Sequence, residues 1–510
     1  MAKVLLIGGT DPSGAGLQTD WCVTNTLEVE AVSIVTAVTA QNNSAVLYDG
    51  VLPYAQIKAQ LDALGKQQFS AIKIGMLGNE GVIKAISSYL AKQPSETVVI
   101  LDPILASSSG SKLLNYAGQR VLLKKLMPYV TLLTPNTNEL ATLTGKKINN
   151  FQDLEACAHD LLDSGAKSIL VKGGHFHVDE NNQDKCIDTF ISPGGAFFLE
   201  GYRWEGKKNV RGTGCVLSSA IASFINQSYN LIDSLILSKA LVSQGIKNSV
   251  AVDNEADINK AVSKFKFTKQ YSGRNFSLEH LPRLKLSTRE SYYNFSPCDL
   301  PNSESGNKSL GIYPVVDSVD WVKKLVPLGI KTIQLRVKDK TPEEVEAEIL
   351  EAIQFCKDFE IRLFINDYWQ LAIEHEAYGI HLGQEDLATA DLEAIANSGC
   401  RLGISTHSYT EVARTIDIKP SYLALGPIYA TTSKDMPWIP QGAEAVENWV
   451  KLLGDDYPLV AIGGINIERA KRLKQTGVGS VAMISAITES RDYEKTTKEL
   501  LDIWKGQDSL

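Results

Sequence analysis

The sequence predicts an α/β protein made of two units, an open parallel sheet followed by a closed (β/α)8 barrel. The chain has 510 residues, which is too long for a single hydrophobic core of ordinary size. Short apolar runs alternate with helical patterns from Lys3 to about residue 265, and the alternation begins again after Leu310. The second series contains eight apolar runs in about 200 residues, which is the size of a compact barrel.

The strands of the first half are predicted from six apolar runs that polar residues hardly interrupt. Such runs are typical of strands that helices cover on both faces, so we expect a parallel sheet. The predicted strands are 4–7, 32–37, 71–74, 98–101, 132–133 and 169–171.

The strands of the second half follow the same rule, and polar residues with several prolines separate the two series. The predicted barrel strands are 312–316, 332–335, 363–365, 379–381, 402–404, 422–425, 460–462 and 481–484. The predicted boundaries are 1–268 for the first domain, 269–308 for a linker and 309–510 for the second domain.

Composition and charge limit the class of protein. Apolar residues make up 44% of the chain and charged residues 22%, as in ordinary globular proteins. The net charge of -8 argues against a nucleic-acid or anionic-membrane partner. The seven cysteines are scattered without a Cys-x-x-Cys pair, so neither a disulfide framework nor a zinc site is predicted.

No targeting segment is predicted either. No apolar run reaches the ~18 residues of a membrane span, and the run 4–7 is too short for a signal peptide. We therefore expect a cytoplasmic protein whose partners are small molecules. The sequence leaves the oligomeric state open, a homo-oligomer included.

The stretch from Gln334 to Lys338 is the first candidate site in the predicted barrel. Arg336 and Lys338 follow a buried strand and point in the same direction, because strand side chains alternate between two faces. A guanidinium group binds phosphate oxygens in pairs and an ammonium group adds a point charge, so the two together suit a diphosphate. Taken alone, basic residues at a strand end are more often solvated.

Polar residues also follow the other predicted barrel strands, whose ends meet at one face. Asp367 and Asp386 suit Mg²⁺, which prefers one or two carboxylates together with phosphate oxygens. Gly463, Gly464 and Ser485 match the phosphate site that barrels build from backbone amides after their last two strands. For single residues, a helix cap at Asp367 and a turn at Gly463 are the alternatives. The remaining polar residues at these ends are Asn366, Gln384, Ser405, His407, Thr431, Ser433 and Lys434.

These stretches closely resemble the thiamine-phosphate synthase family. The resembling motifs are QLRVK at 334–338, IND at 365–367, GIHLGQEDL at 379–387, LGPIY at 425–429, AIGGI at 461–465 and ISAI at 484–487. The resemblance covers residues 309–500. It implies that an aminopyrimidine-methyl diphosphate loses pyrophosphate and that the ring nitrogen of a thiazole phosphate takes its place.

The resemblance also implies roles for individual residues. Arg336 and Lys434 would be catalytic, and Lys434 would contact the departing pyrophosphate, while Asp367 and Asp386 would hold Mg²⁺. Ser433 stands where the family usually has threonine, and 435–440 differs from common members. The residues implied to hold the pyrimidine diphosphate are Gln334, Leu335, Arg336, Val337, Lys338, Asn366, Ser405 and Lys434. Those implied to hold the thiazole phosphate are Thr431, Thr432, Ser433, Gly463, Ile484 and Ser485.

A glycine-rich helix start is the informative stretch of the first half. Gly212, Thr213, Gly214 and Cys215 precede apolar residues at helical spacing. Such a start presents free N–H groups and the positive end of the helix dipole to an anion. Glycine-rich helix starts are common, so a simple turn explains this stretch equally well.

Other polar stretches follow the predicted strands of the first half, where open α/β sheets bind their ligands. Together with the helix start, they resemble the hydroxymethylpyrimidine and phosphomethylpyrimidine kinases over about residues 1–265. That family is ribokinase-like, so the resemblance implies a ribokinase-like α/β sandwich before the TIM barrel of the second half. The stretches are 8–16 with Asp20, Gln41, 73–76, 101–103, 134–139 and 171–175.

The kinase resemblance implies ATP as co-substrate, Mg²⁺, and roles for several residues. Gly9 and Gln41 would contact the pyrimidine, and Asp20 would shape its pocket. Lys172 would be catalytic near the transferring phosphate. The anion hole around the ATP phosphates would consist of Gly212, Thr213 and Gly214.

Cys215 stands where ribokinase relatives usually place an aspartate base. A thiolate at a helix N-terminus can have a lowered pKa, so we expect a catalytic base; an inert buried cysteine is the alternative. The first glycine loop, 12–16, is one glycine shorter than the usual family form. His175 and His177 are expected to be ordinary surface residues.

The two implied reactions are consecutive, because the first makes the diphosphate that the second releases. We therefore expect a bifunctional enzyme of thiamine biosynthesis. One alternative is a salvage kinase for pyridoxal-like alcohols. Another is a chain in which one half, such as the barrel, is degenerate and only binds a thiamine precursor.

Overall fold

The computed structural model consists of two compact units, Met1–Arg289 and Glu290–Leu510. The residues that the structure describes are 2–12, 14–41, 46–106, 112–173, 184–204, 210–252, 262–264, 276–286, 293, 295–298, 309–431 and 439–505. Among these residues, no helix is long and apolar enough to cross a membrane.

The first unit is built on a ten-stranded sheet, and three further strands form a small sheet of their own. The strands are β1 (Lys3–Thr10), β2 (Ala31–Gln41), β3 (Val46–Val51), β4 (Phe69–Ile74), β5 (Val98–Leu101), β6 (Leu132–Leu133), β7 (Ile169–Val171), β8 (Lys185–Ser192), β9 (Gly195–Tyr202), β10 (Val210–Arg211), β11 (Val250–Val252), β12 (Val262–Lys264) and β13 (Arg283–Lys285).

The six predicted strands lie side by side and parallel, in the order β2, β1, β4, β5, β6, β7. Their apolar residues are buried, and Leu5, Leu6 and Ile7 of β1 are fully so. The antiparallel strand β3 forms one edge, and β8, β9 and β13 extend the other. The predicted α/β class is therefore confirmed, although the antiparallel strands were not predicted.

Helices connect the strands of the first unit, and several begin at side-chain caps. Asn136 and Glu139 form a capping box at the start of α5, in which each side chain accepts a hydrogen bond from the other's backbone N–H. The helices are α1 (Leu17–Thr26), α2 (Tyr54–Ala63), α3 (Glu80–Leu90), α4 (Tyr116–Val121), α5 (Thr137–Thr144), α6 (Phe151–Asp163), α7 (Thr213–Asn226) and α8 (Leu231–Lys247).

Part of the segment predicted as a linker belongs to the first unit. Strand β13 pairs antiparallel with β9, and Phe276 and Leu284 are buried. The sequence pattern did not predict this strand, because the segment contains prolines and charged residues and no apolar run. The strand forms because it pairs with β9.

The second unit is a closed barrel of eight parallel strands, and it closes where β21 pairs with β14. The predicted (β/α)8 barrel is confirmed, and every predicted strand overlaps an observed one. The strands are β14 (Gly311–Val316), β15 (Thr332–Leu335), β16 (Arg362–Asn366), β17 (Gly379–Leu382), β18 (Arg401–Thr406), β19 (Tyr422–Leu425), β20 (Leu459–Ile462) and β21 (Ser480–Met483).

Helices alternate with the barrel strands. The longest, α10, begins with Thr341 as its cap, Pro342 in its first turn and Glu344 completing a capping box. The helices are α9 (Val319–Leu325), α10 (Pro342–Asp358), α11 (Trp369–Glu374), α12 (Gln384–Leu387), α13 (Leu392–Asn397), α14 (Tyr409–Thr415), α15 (Gly442–Leu453), α16 (Ile467–Lys474), α17 (Ser485–Thr488) and α18 (Tyr493–Lys505).

Residues 295–298, near the end of the predicted linker, are hydrogen-bonded to the barrel strands. The carbonyl oxygen of Cys298 accepts a hydrogen bond from Arg362 at 3.1 Å, and that of Ser296 accepts one from the Ser421 hydroxyl at 2.7 Å. Cys298 is also part of the apolar cluster that fills this end of the barrel. The stretch 295–298 is thus an integral part of the second unit.

Aromatic rings occupy the barrel interior, where branched aliphatic residues are more usual. The ring of Tyr422 lies 5.0 Å from that of Phe364 and 5.9 Å from that of Tyr313, measured between centroids. Gly403 on the neighbouring strand β18 makes room for them, because a Cβ atom there would overlap the ring of Tyr422.

We predict that Gly403→Ala destabilises the second unit by about 1–3 kcal/mol, the usual cost of forcing an extra carbon into a packed core. Thermal unfolding of the full chain measures this change. The control is Gly194→Ala, where an added Cβ meets open space apart from a contact of 3.7 Å with the Ser192 hydroxyl. Equal melting temperatures for Gly403→Ala and wild type would contradict the close packing around Tyr422.

Candidate active sites

The candidate site of the first unit centres on Lys172, directly after β7. Its Nζ donates to Oδ1 of Asp102 at 2.7 Å and lies 3.7 Å from Oε2 of Glu139. Burial alone would lower the pKa of Lys172, but Asp102 and Glu139 raise it above the usual value. The ammonium group is therefore a permanent cation at the carboxyl end of the sheet, where sequence reasoning expected it.

The start of helix α7 lies close to this cation. A Cβ atom on Gly214 would be 3.2 Å from both Lys172 Nζ and Asp102 Oδ2. Gly212 precedes the helix with φ +82°, a conformation that glycine adopts without strain. The structure thus brings together Lys172 and the predicted anion hole of Gly212, Thr213 and Gly214. Free amides, the positive helix end and an ammonium group together can bind a phosphoryl group.

The expectation of a lowered pKa for Cys215 is wrong. Burial raises the pKa of its thiol to about 12, and the nearby carboxylates Asp20 and Asp102 act in the same direction. Lys73 and Lys172 oppose this effect without overcoming it. Burial and the two carboxylates thus outweigh the two ammonium groups, and at neutral pH the side chain is a thiol.

Asp20, which was expected to shape the pyrimidine pocket, lies in the interior of the first unit rather than at an open surface. Its side chain is completely buried, and its two oxygens accept hydrogen bonds from Lys73 Nζ at 2.8 and 2.7 Å. The hydroxyl of Ser219 donates to the same carboxylate at 2.7 Å. Asp20 therefore joins α1 to β4 and α7. It can shape the site only by fixing these elements.

The other predicted residues of the first unit are placed less completely. Gly9 lies near the end of β1, where an added Cβ would be 3.0 Å from the sulfur of Met76. Gln41 ends β2, but its side chain lies outside the part of the chain that the structure describes. His175 and His177 also lie outside the described residues.

The candidate site of the second unit contains a close pair of carboxylates, Asp367 after β16 and Asp386 after β17. Burial of its carboxyl group and the like charge of Asp386 raise the pKa of Asp367 to about 6, against the lowering effect of Arg336. Much of the Asp367 residue is exposed to solvent although its carboxyl group is partly enclosed, so the repulsion by Asp386 is an essential part of this shift. Two repelling carboxylates beside a guanidinium group fit a divalent cation.

The residues predicted around the diphosphate divide into two groups. Four of these residues have buried side chains: Gln334, Leu335, Val337 and Asn366. Because the side chains of Leu335 and Val337 are also apolar, these two residues can offer a ligand only main-chain atoms. Arg336 is half-buried and Lys338 is exposed, while Val337 between them is buried. The remaining residue, Ser405, is half-buried near the end of β18.

The predicted thiazole-phosphate residues lie after β19, β20 and β21. Gly463 has φ +105° and its carbonyl accepts a hydrogen bond from the N–H of Tyr429 at 3.0 Å. Ile484 precedes α17, Ser485 begins it, and Thr431 is half-buried. Thr432, Ser433 and Lys434 lie outside the described residues, and so does 435–438.

Sequence reasoning did not single out several residues that the structure brings into the sites. Asp102, Lys73 and Glu139 stood in the quoted strand-end stretches, but no local signal indicated which charges pair. Tyr313 and Tyr422 carried no such signal, because they read as ordinary strand residues.

Comparisons with known proteins identify the family of each unit. Residues 11–259 match the family model described as phosphomethylpyrimidine kinase, and residues 312–487 match the one described as thiamine monophosphate synthase. A thiamine-phosphate synthase of Proteus mirabilis is 54% identical over 202 residues, covering 40% of this chain and 94% of the relative. One from Salmonella schwarzengrund is 55% identical over 194 residues, covering 38% and 92%. A solved phosphomethylpyrimidine kinase from Clostridium difficile 630 is 32% identical, with a TM-score of 0.42, covering 48% of this chain and 100% of that one.

The two folds and their sites define an enzyme that joins a kinase unit to a barrel transferase. The chain belongs to the thiamine-phosphate synthase family through its second unit, and its first unit is a phosphomethylpyrimidine kinase domain. It is thus a bifunctional enzyme of thiamine biosynthesis, as the sequence predicted. The kinase family implies ATP as co-substrate and a divalent metal.

We predict that Asp367→Asn stabilises the metal-free second unit by about 0.5–1 kcal/mol at pH 8, because it removes one of two repelling charges. The raised pKa means that Asp367 gains a proton as the pH falls through about 6. The repulsion then disappears in the wild type too, so the difference should vanish below pH 5. Melting temperatures in EDTA at both pH values measure this.

The control for this prediction is Asp456→Asn, which makes the same charge change at an exposed position. An Asp367→Asn variant less stable than wild type at pH 8 would contradict the repulsion between the two carboxylates.

Proposed function

We propose that the first unit uses ATP to phosphorylate 4-amino-5-hydroxymethyl-2-methylpyrimidine and then its monophosphate, giving the diphosphate. We propose further that the second unit condenses this diphosphate with thiazole phosphate to thiamine phosphate. The observation that carries the proposal is the carboxylate pair Asp367 and Asp386 beside Arg336, at the strand ends of a barrel. The cytoplasm, which supplies ATP, is the proposed compartment.

In the first unit, the proposed phosphoryl site is the gap between Lys172 and the start of α7. The amides of Thr213 and Gly214 and the ammonium group of Lys172 neutralise the charge on the transferring phosphoryl group. Gly9 and Gln41 remain the proposed contacts of the pyrimidine. Lys172 is held by Asp102, so its position is fixed before the ligand arrives.

For Cys215 we propose a contact role rather than that of a base. Because burial raises the pKa of the thiol to about 12, nearly all of it is un-ionised at pH 8. Phosphate groups bound nearby would disfavour the thiolate further, because they are anions. The thiol lies in the first turn of α7, where its size and its S–H group border the anion hole.

In the second unit, the proposed reaction breaks the bond between the pyrimidine methylene carbon and the diphosphate oxygen. The pyrophosphate leaves with the electron pair, and the thiazole nitrogen forms the new C–N bond. Arg336 and Lys338 bind the diphosphate oxygens, with Asn366 and Ser405 beside them and main-chain atoms of 334–338 below. When bound between Asp367 and Asp386, Mg²⁺ would supply further neutralisation of the leaving pyrophosphate.

The thiazole phosphate is proposed to bind at the ends of β19, β20 and β21. Backbone amides at Gly463, Ile484 and Ser485 and the hydroxyl of Thr431 suit a phosphate group. Thr432 and Ser433 are proposed to add hydroxyl contacts. Lys434 is proposed to contact the pyrophosphate as it departs.

The proposed function predicts that the full chain makes thiamine phosphate and pyrophosphate from ATP, Mg²⁺, hydroxymethylpyrimidine and thiazole phosphate. Asp367→Asn should lower the condensation rate by about 10²-fold or more and leave the kinase rate unchanged, so that pyrimidine diphosphate accumulates. Product analysis by chromatography measures both steps. Asp456→Asn serves again as the charge control, and normal condensation by Asp367→Asn would refute the metal site.

A second prediction separates the two roles considered for Cys215. For a contact role we expect Cys215→Ala to lower kcat/KM of the kinase about 3–10-fold, the loss of one packing or hydrogen-bond contact. Removal of a general base would cost about 10²–10⁴-fold in kcat.

The control for this prediction is Cys22→Ala, because Cys22 is an exposed cysteine of α1. Steady-state kinase rates with the pyrimidine alcohol decide the question. A loss of 10³-fold in kcat, with the fold intact, would overturn the contact role.

A further inference from the structure

A continuous chain of hydrogen-bonded side chains crosses the interior of the barrel. We call Gln334, Tyr313, Tyr422, His381 and Ser405 the interior chain. Successive distances along it are 3.4 Å from Gln334 Nε2 to Tyr313 Oη, 2.9 Å between the two tyrosine hydroxyls, 2.6 Å from Tyr422 Oη to His381 Nδ1 and 2.8 Å from His381 Nε2 to Ser405 Oγ. Four of its members are buried, and Ser405 is half-buried.

The direction of the hydrogen bonds follows from the donors at one end of the interior chain. The amide nitrogen of Gln334 can only donate, so the hydroxyl of Tyr313 accepts. The proton of Tyr313 then needs an acceptor. Among the described residues, the hydroxyl oxygen of Tyr422 lies at hydrogen-bond distance and can accept it. Tyr422 accepts this bond and donates its own proton to the next member, His381.

The imidazole of His381 continues this donor-to-acceptor order from Tyr422 to Ser405, which lies near the mouth of the barrel. Because Nδ1 accepts from Tyr422, the ring proton lies on Nε2, which donates to the hydroxyl oxygen of Ser405. The hydroxyl oxygen of Ser405 therefore accepts one hydrogen bond from inside the barrel, and because Nε2 already carries a proton, the proton of Ser405 must point elsewhere. The backbone carbonyl of Ser405 is also fixed, since it accepts from Gln384 at 2.7 Å.

We propose that Tyr422 and His381 are positioning residues of the synthase site, which orient the Ser405 hydroxyl as a hydrogen-bond donor to an acceptor atom of the pyrimidine diphosphate. This inference rests on the proposed role of Ser405 in binding that substrate. Neither residue touches the substrate in this proposal; both act through Ser405.

The packing around Tyr422 supports the proposal. Phe364 fills the same interior with a ring that carries no hydroxyl, so packing alone does not call for tyrosines at 313 and 422. A buried hydroxyl is unfavourable unless it is hydrogen-bonded, and here both hydroxyls are. Burial also raises the pKa of Tyr422 well above its usual value, so the hydroxyl keeps the proton that it donates. The absence of a side chain at Gly403 leaves the space that this ring occupies.

The test is a double-mutant cycle on kcat/KM of the condensation, measured with the full chain and synthetic pyrimidine diphosphate. We expect Ser405→Ala to lower kcat/KM about 10–100-fold, the loss of one hydrogen bond to a charged or polar substrate atom. Tyr422→Phe should lower it about 5–10-fold in the wild-type background and less than about 2-fold in the Ser405→Ala background. Non-additivity of this kind shows that Tyr422 acts through Ser405.

Controls separate positioning from damage to the fold. Tyr457→Phe removes another buried hydroxyl, which donates to the Ile416 carbonyl at 3.3 Å, and should leave kcat/KM unchanged. The kinase rate of each variant reports whether the chain is otherwise intact. His381→Gln keeps an amide donor that can reach Ser405 and should retain more activity than His381→Leu, which is similar in size but has no donor.

The outcomes distinguish this inference from the proposed function. An inactive wild-type chain would refute both together. An active wild type with equal losses from Tyr422→Phe in the two backgrounds would refute the inference alone. Equal activities of His381→Gln and His381→Leu would do the same, and so would a Ser405→Ala variant as active as wild type.

Discussion

Charges held close together at the carboxyl ends of parallel strands are the constraint on which both units depend. In the barrel, Asp367 and Asp386 repel each other and Arg336 offsets this only in part. In the first unit, Lys172 is held between Asp102 and Glu139 beneath the start of α7. Such arrangements do not favour folding by themselves. The burial of the apolar strands and their helices must therefore offset the unfavourable free energy of bringing these charges together.

The two units fix their charges in different ways. In the first unit, the buried pair of Asp20 and Lys73 lies behind the site, and removing one partner of such a pair costs about 3–5 kcal/mol because the other charge stays buried. Ser219 binds the same carboxylate from α7, four residues after Cys215. The pair thus ties the helix that carries the anion hole to the strand ends. In the barrel, the site charges are nearer to solvent, and hydrogen bonds in the interior give the rigidity instead.

The sequence was sufficient for the strands that carry an uninterrupted apolar run. All six parallel strands of the first sheet and all eight of the barrel were predicted on that signal. The hairpin of β8 and β9 and the strand β13 were missed, because antiparallel pairing at the sheet edge depends on neighbouring strands rather than on local composition. A Pro-Gly-Gly turn at 193–195 was the available signal for the hairpin.

The same reasoning predicted where charged residues lie along the chain, but it did not predict their ion pairs or the shifts of their pKa values. The strand-end rule found Lys172, Arg336, Asp367 and Asp386, since their position follows from the order of the elements. It could not find the partner of Asp20, because Lys73 is far away in sequence and the pairing requires the fold. For Cys215 it gave the wrong direction of the pKa shift, because the helix N-terminus is visible in the sequence and burial is not.

The interior of the barrel shows why positioning matters more here than reactive side chains. In the proposed condensation, the electron-rich aminopyrimidine itself stabilises the positive charge that develops as pyrophosphate leaves, so the protein needs no nucleophile and no strong acid. Catalysis then depends on how well the diphosphate and the ring are held, and small errors in orientation are costly. A barrel filled with aliphatic side chains could not direct a hydroxyl proton. A chain of hydroxyl and imidazole groups with one favoured direction can, because each member is a donor to the next and the last one faces the mouth.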